Sequence, residues 1–494
     1  MFDAGIHFHI HMSRLGGTMH RKASLASAAV SLILLASVTA MAQEDDPTEE
    51  IRSMLHIASG LLPQIDKNQQ PSMAFNISGQ QTRIGDLAGA LATLQRVKDE
   101  HQEVWVASSI ASSLAWQGRV PLALTVVRSS GKGDAQGRAQ AYASIAGTLA
   151  ERGAFDESLG IVKLIEDGPD YLGRTSLLVQ TLMVIQSKQW AAGDETAANN
   201  TLNAALEAVE REKESPFTPE FAETMPAQTY GGIVGELARE GNRAAAYAVL
   251  ERLYDIVADS AGPSKEDLLY TLSAAQANLG DFELALETAA QMDPGEKRDN
   301  ALFIVALERT QHGDPQGALD LALGLSVEFS RDASLRSIAD AIAASGNYIE
   351  ALSTIDRIRG AGEHAYGLSE LAFERAENDD PAAGLLTQIA WDAARNAGRE
   401  TKPYVFAQIA VAKGMTGDFN HSLEIINAMA DQDRFWAVQS LAEILVHAGK
   451  KTEAIALAES QQSAYPKACA YLGMASQLIA EEREAASRNQ RNQP

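Results

Sequence analysis

The 494-residue chain has a single cysteine, Cys469, and few aromatic residues, which make up 6% of the sequence. With one thiol it cannot form an internal disulfide, so its stability must come from packing. Scarce aromatics argue against a β-sandwich, whose strands favour β-branched and aromatic side chains. Apolar residues make up 46% of the chain and alanine is abundant. This composition suits many short helices that pack closely through small side chains.

Basic residues are also scarce. The chain has 41 Lys and Arg against 65 Asp and Glu, a net charge of −24. So acidic a surface argues against nucleic-acid binding, because phosphates attract a basic surface, and against adsorption to anionic lipid. Residues 1–42 hold three bases and one acid, so their removal would change the net charge from −24 to −26. Acidity of this size mainly keeps a long chain soluble.

Catalytic and nucleotide-binding motifs are absent: there is no G-x-S-x-G, H-E-x-x-H, C-x-x-C or Walker loop. The glycine-rich residues 131–133 follow no predicted strand. The acidic pairs at 45–46 and 379–380 lie in predicted loops or the lead-in, whereas catalytic carboxylates need a cleft that separates and tunes them. Three histidines alternate as metal ligands can, but they lie at the extreme N-terminus: His7, His9 and His11. The sequence predicts a non-enzymatic protein with no cofactor and no bound metal.

The N-terminal segment has the three-part layout of a secretory signal peptide. Residues 19–22 form a basic start, residues 23–38 an almost uncharged apolar run, and residues 40–42 place small side chains in an A-x-A arrangement. We expect translation to start at Met19, cleavage after Ala42, and a periplasmic or secreted mature chain. A retained N-terminal anchor is the alternative. The apolar run is short for a membrane span and no later stretch approaches that length, so the mature chain should have no membrane span.

A turn signal recurs along the rest of the chain, and half of its ten intervals are 33 residues. Such a fixed period is the signature of a repeat architecture. The turn residues are Gly85, Gly118, Gly153, Gln186, Gly241, Gly280, Gly313, Gly346, Asp379, Gly417 and Gly449. Eight residues before each turn the side chain is aliphatic, and five residues after it the side chain is small.

The residues around each turn predict a pair of helices. Residues 335–342 place apolar side chains at i, i+3, i+4 and i+7, which is the stripe of an amphipathic helix. Glycine at the turn ends the first helix in a left-handed conformation, and the polar residue after it suits the positive end of the second helix. One such pair cannot bury its apolar face alone, so neighbouring pairs must stack.

The turns resemble the central part of a tetratricopeptide repeat (TPR), as in GDFELAL at residues 280–286 and GNYIEAL at residues 346–352. The resemblance covers roughly residues 72–465. It departs from the family in the first helix, where alanine often stands seven residues before the turn. The resemblance implies an all-α fold, an α-solenoid of about eleven helix–turn–helix repeats with a C-terminal capping helix.

Irregular intervals give the expected organisation of the chain. Residues 1–42 are the extension and signal peptide, and residues 43–71 an acidic lead-in with one short helix. Repeats fill residues 72–215 and 227–465, separated by a proline-containing loop at 216–226. Either the repeats form one array or the loop divides them into two segments. Residues 466–494 form the polar-faced capping helix and a tail.

Basic residues recur fifteen residues before the turn, more often than chance allows. They are Arg138, Lys265, Arg298, Arg331, Lys402 and Arg434, with His364 in a seventh repeat. A cation there follows the C-terminus of the preceding helix, where positive charge is favoured, and acids lie nearby. We interpret each of these residues as a structural residue at the corner between two repeats, where it caps a helix C-terminus and pairs with an acid. An anion-binding groove is the alternative.

By analogy with the TPR fold, we expect an exported, non-catalytic scaffold or adaptor that binds a protein or peptide on the concave face formed by the first helices. The candidate contact residues are Trp105, Ser109, Arg336, Asp340, Trp436 and Gln439. The rival hypothesis is an envelope carbohydrate-active protein, since some enzymes that act on peptidoglycan or polysaccharide carry an α-helical superhelix.

Overall fold

The computed structural model describes residues 47–131, 134–166, 173–212, 219–260 and 264–491. The chain divides into residues 1–50 and a compact unit of residues 51–494. Of the first part, only residues 47–50 are described, and they are helical. The predicted signal peptide, cleavage site and N-terminal histidines lie outside the described residues.

The described residues form 24 α-helices and no strands. In chain order they are α1 (Pro47–Leu61), α2 (Gln70–Arg83), α3 (Leu87–Leu94), α4 (Glu100–Trp116), α5 (Val120–Ser129), α6 (Ala135–Glu151), α7 (Phe155–Glu166), α8 (Arg174–Ala191), α9 (Glu195–Glu212), α10 (Pro219–Arg239), α11 (Arg243–Asp259), α12 (Lys265–Asn278), α13 (Phe282–Ala289), α14 (Glu296–Gln311), α15 (Pro315–Leu323), α16 (Glu328–Ala344), α17 (Tyr348–Ile355), α18 (Ala361–Glu377), α19 (Ala383–Ala397), α20 (Pro403–Met415), α21 (Phe419–Ala428), α22 (Phe435–His447), α23 (Lys451–Ser460) and α24 (Ala464–Arg491).

The helices from α2 to α23 form eleven antiparallel pairs, and each pair stacks on the next. The even-numbered helices are the first helices of the repeats and the odd-numbered ones are the second. This arrangement confirms the all-α solenoid with about eleven repeats. A single core of aliphatic and alanine side chains runs through nearly the whole array.

The turns have the geometry that the glycine pattern predicts. Gly346 has φ +84°, a left-handed conformation that costs glycine little. Its N–H donates to the Ala343 carbonyl at 2.7 Å, and the N–H of Asn347 donates to the Ile342 carbonyl at 3.3 Å. These two bonds form a Schellman motif, which satisfies carbonyls at the end of α16. Asp379 adopts the same conformation with φ +53°.

The small residues five positions after the turn, which we call the small column, are buried where the two helices of a repeat meet. Its members Ala90, Ala123, Ser158, Ala246, Ala285, Ala318, Ala351, Ser422 and Ala454 are fully buried. The prediction is wrong by one residue in the repeat that turns at Asp379, where Gly384 is exposed and the buried small residue is Ala383. The column therefore marks the close contact between paired helices.

The predicted turn at Gln186 is wrong. Gln186 is buried within α8, and the turn lies seven residues later at Gly193, which has φ +79°. In the corrected register, the aliphatic residue eight before the turn is Ile185 and the small residue five after it is Ala198. Both are fully buried. Both helices of this repeat are long, with 18 residues each in α8 and α9.

The proline-containing loop also differs from the prediction. Helix α10 already begins at Pro219 and continues through Pro226 to Arg239. Proline suits the first turn of a helix, where no backbone N–H is needed. Further along, Ala227 and Tyr230 are fully buried, so tertiary packing holds the helix despite Pro226. Of the predicted loop, residues 216–218 lie outside the described part of the chain.

The helices at the two ends of the array are longer and more buried than predicted. In the lead-in, α1 has 15 residues and contributes Ile51 and Leu55 to the core. At the other end, α24 begins at Ala464 and is not polar-faced at first. Its first half is buried against α22 and contacts α2, and the Gln80 Nε2–H donates to Ser476 Oγ at 2.5 Å. As a result, every first helix from α2 to α24 has a neighbour on both sides.

No helix among the described residues is long and apolar enough to cross a membrane.

Candidate functional site

The six predicted contact residues lie on three first helices. Trp105 and Ser109 are on α4, Arg336 and Asp340 on α16, and Trp436 and Gln439 on α22. Only Arg336 and Asp340 contact each other, at 3.5 Å between Nη1 and Oδ2. No described hydrogen bond or ion pair joins this pair to the other four residues.

Ser109 is not a surface residue. Its side chain is 9% exposed and lies against Gly79 of α2. A Cβ on Gly79 would stand 2.3 Å from Ser109 Oγ, so the two residues allow α2 and α4 to approach closely. Ser109 therefore serves helix packing, and the prediction that it is exposed for a partner is wrong.

Arg336 is the centre of a polar cluster that bridges neighbouring first helices. Its Nη1 lies 2.8 Å from Glu370 Oε2, and its Nε lies 3.4 Å from Glu363 Oε2, both on α18. The guanidinium also stands over the Tyr366 ring, 4.3 Å from the ring centroid. Together with Asp340, three carboxylates and one ring surround a single cation that is 19% exposed.

The cluster continues to the start of α20 through aromatic rings. Tyr366 and Tyr404 meet edge to face with ring centroids 4.6 Å apart. Lys402 stands 5.7 Å from the Tyr404 ring centroid, and its Nζ is 3.7 Å from Glu363 Oε1. The cluster thus joins α16, α18 and the N-terminus of α20.

Burial controls the ionisation of this cluster. It raises the pKa of Asp340 to about 8; repulsion from Glu370 adds to the shift and attraction to Arg336 opposes it. Burial, with nearby Glu377, also raises the pKa of Glu374. Asp340 therefore keeps its proton to a higher pH than a solvated aspartate does.

We expect this proton to make stability depend on pH. A carboxyl whose pKa is higher in the folded state stabilises the protein at low pH, and that contribution disappears as pH rises from about 4 to about 8. Asp340→Asn should remove the effect, so its free energy of unfolding should fall less steeply with pH. Urea unfolding at several pH values measures the slope. The exposed control Asp320→Asn should keep the wild-type slope; equal slopes for both variants would contradict the shift.

Aromatic side chains recur at one position of the first helices, thirteen residues before the turn. We call this set the aromatic row: Trp105, Tyr366, Tyr404 and Trp436. Trp105 is 42% exposed, and Tyr404 and Trp436 are each 37% exposed. Trp105 stacks on Phe75 with centroids 4.8 Å apart, and Trp436 lies 5.9 Å from Phe373. These contacts hold large, partly exposed rings in place.

Half-buried acids recur five or six residues before the turn. We call this set the acid row: Glu308, Asp340, Glu374 and Glu443. Burial raises the pKa of each carboxyl. On α18 and α22 an acid follows the aromatic residue by seven or eight positions, and this spacing places both on the same helix face. The two rows together form the first-helix face.

Five of the six basic residues at the inter-repeat corners contact neighbouring backbone or acids. The Arg138 Nη1–H donates to the Gly131 carbonyl at 2.6 Å, and Lys265 donates to the Val257 carbonyl at the end of α11. Ion pairs engage three others: Arg331 with Glu328 and Asp332, Lys402 with Glu363, and Arg434 with Asp431. These are the contacts expected of structural corners.

Within the described residues, no three His, Cys, Asp or Glu side chains form a group that could hold a metal ion. The Cys469 thiol is buried in α24, and burial raises its pKa well above the usual range. It is therefore a packing residue at neutral pH.

Comparison with known proteins gives a fold-level result. No family model and no curated protein matches the sequence. The crystal structure of Ton1535 from Thermococcus onnurineus NA1 is 13% identical, with a TM-score of 0.27 over 81% of this chain and 99% of that chain. A circular tandem repeat protein with novel repeat topology is 13% identical, with a TM-score of 0.21 over 94% and 95%. Scores this low carry no argument about function. The stacked helix pairs decide the class. This chain is a helical-repeat protein.

Proposed function

We propose that this chain is an exported, non-catalytic, TPR-like scaffold whose first-helix face binds a basic segment of a protein partner. The observation that carries the proposal is the recurrence of partly exposed aromatic rings on four first helices. Exposed aromatic side chains held in place by neighbours are the usual anchors of protein interfaces. On α18 and α22 each ring has an acid seven or eight residues away, which is roughly 11 Å along the helix.

Charge supports a basic partner. The chain carries a net charge of −24, and the four members of the acid row are half-buried carboxyls. A partner cation would favour the ionised forms of these carboxyls, so a basic segment would gain electrostatic free energy on binding this face. An acidic partner would meet repulsion on the same face.

The rival function, polysaccharide cleavage, has less support in the geometry. Glycosidase carboxyls flank a substrate and are roughly 5–9.5 Å apart. Asp340 and Glu370 instead contact one nitrogen of the same guanidinium, Arg336 Nη1, at 3.5 Å and 2.8 Å. Both carboxyls are therefore ion-paired to one cation that bridges two first helices.

Defined peptides test the proposal. A fluorescent peptide of alternating Lys and Leu should bind the purified protein more tightly than a Glu–Leu peptide of equal length, with an affinity that falls as salt rises. Trp436→Ala should weaken binding about tenfold or more, as expected for an interface anchor. Fluorescence anisotropy measures each affinity.

Export is tested separately. If the chain is exported, protein recovered from a periplasmic fraction should have the intact mass of a chain that begins at Gln43.

The second helices offer matched controls. Ile349 and Leu385 are 86% and 68% exposed on α17 and α19, outside the first-helix face. Ile349→Ala and Leu385→Ala should leave the affinity within about twofold. Equal binding of the two peptides, or a loss in these controls as large as that of Trp436→Ala, would contradict the proposal.

A further inference from the structure

A pocket opens between two repeats where α19 is lengthened. Helix α19 has 15 residues, whereas the second helices α13, α15 and α17 have 8, 9 and 8. After α19 the chain makes a short 3₁₀ turn before α20 begins at Pro403. The insertion therefore changes the corner between this repeat and the next.

The regular repeats show what normally fills such a corner. Twelve residues after the turn, Met292, Leu325 and Ile358 are buried apolar side chains. The equivalent residues here are Trp391 within α19 and Met429 just after α21, and both are only half-buried. The lengthened helix thus leaves open a space that the regular repeats fill.

The resulting cavity has a volume of about 260 Å³. Its walls are apolar: Ile425 is buried, and Trp391 and Phe406 meet edge to face with ring centroids 5.8 Å apart. Exposed Pro403 and Ala428 lie at its mouth. Pockets for drug-sized ligands measure roughly 300–1,000 Å³, so this one suits a smaller, aromatic group.

Among the described residues, Asp433 is the only ionisable side chain that lines the cavity. It is half-buried, and no ion pair or hydrogen bond of the described residues engages its carboxylate. The nearby cations are occupied: Arg434 pairs with Asp431, and Arg395 stands over the Trp391 ring at 5.7 Å. The Thr401 hydroxyl donates to the Ala394 carbonyl at 2.8 Å. The cavity therefore combines aromatic walls with one uncompensated negative charge.

We propose that this corner pocket binds a small aromatic amine, with its ring against the Trp391 and Phe406 side chains and its ammonium group on Asp433. The walls supply apolar burial and ring contacts. The half-buried carboxylate favours a cation over a neutral or anionic ligand of the same shape. This site lies at the corner between α19, α20, α21 and α22, and is independent of the aromatic and acid rows.

Titration calorimetry with tryptamine tests the pocket in the purified protein. Tryptamine should bind saturably at millimolar concentration or below. Its neutral analogue 3-methylindole and its anionic analogue indole-3-propionate should bind about tenfold more weakly or not at all. Asp433→Asn should reduce tryptamine affinity about tenfold, to the level of 3-methylindole, because it removes the charge and keeps the shape.

Two further variants keep the test decisive. Ala428→Phe at the mouth should abolish binding of tryptamine and 3-methylindole alike, even if Asp433→Asn fails to fold. Glu424→Gln, exposed on α21, should bind as the wild type does. Absence of saturable tryptamine binding, equal affinity for all three indoles, or wild-type affinity in Ala428→Phe would overturn the proposal.

Discussion

Ala318→Leu is expected to lower the free energy of unfolding by about 1–3 kcal/mol, and Ala351→Leu by a similar amount. Both alanines are fully buried where the second helix of a repeat packs on the first. Three extra carbon atoms there must push the paired helices apart or adopt strained rotamers. Urea unfolding followed by circular dichroism gives both values.

An exposed alanine on a second helix provides the control. Ala244 of α11 is exposed, so Ala244→Leu should change stability by no more than about 0.5 kcal/mol. If Ala318→Leu and Ala351→Leu leave the urea midpoint unchanged, the register assigned to these repeats is wrong.

Leu472→Ala in the last helix should destabilise the protein more, by about 2–5 kcal/mol. Leu472 is 2% exposed and lies beside buried Tyr471 and Met474, in the half of α24 that packs against α22. Removing its side chain loses apolar burial and leaves a cavity. Thermal and urea unfolding both report the change.

The second half of α24 should tolerate substitution. Arg488 is exposed, and its ion pair among the described residues is with Glu484, one turn away, at 3.1 Å. Arg488→Ala should change stability by less than about 0.5 kcal/mol. If Leu472→Ala were equally mild, α24 would be a dispensable cap and not part of the core.

The fold could be predicted from the sequence because one local feature repeats. Glycine or a substitute ends a first helix, and a small residue follows at fixed spacing, so each repeat supplies an independent test of the register. Physical chemistry then requires helix pairs to stack, since one pair cannot bury its apolar face. The prediction was wrong where a repeat departs from the common length.

The wrong turn at Gln186 has a geometric cause. Seven residues are nearly two helical turns, so Leu178 and Ile185 lie on the same face of α8. Ala191 and Ala198, the small residues of the two registers, have the same separation of seven residues. A register shifted by seven residues therefore satisfied both sequence patterns, the aliphatic residue before the turn and the small residue after it. The left-handed conformation of Gly193 and the burial of Ala198, in contrast to exposed Ala191, distinguish the two.

The candidate site was predicted in part for a similar reason. Arg336 and Asp340 share one helix face and could be read from spacing alone. Their partners Glu363 and Glu370 come from the next first helix, about one repeat later. Adding the 33-residue repeat length to Arg336 would have pointed close to Glu370, 34 residues later, but not to Glu363, 27 residues later. Aligning the first helices would have shown the aromatic row. The pocket at Asp433 depends on helix α19 being longer, which no local pattern predicts in detail.

The contact between α2 and α24 changes how the array can come apart. In an open helical-repeat array each terminal repeat has one neighbour, so disorder starts at the ends and spreads inward. Here every first helix has two neighbours. A model in which each repeat interacts with its two neighbours therefore applies to all repeats, including the first and the last. Melting any single repeat then breaks two interfaces, wherever it lies. Unfolding therefore has no preferred starting point at a terminal repeat. We expect it to be more cooperative than in an open array with the same number of repeats.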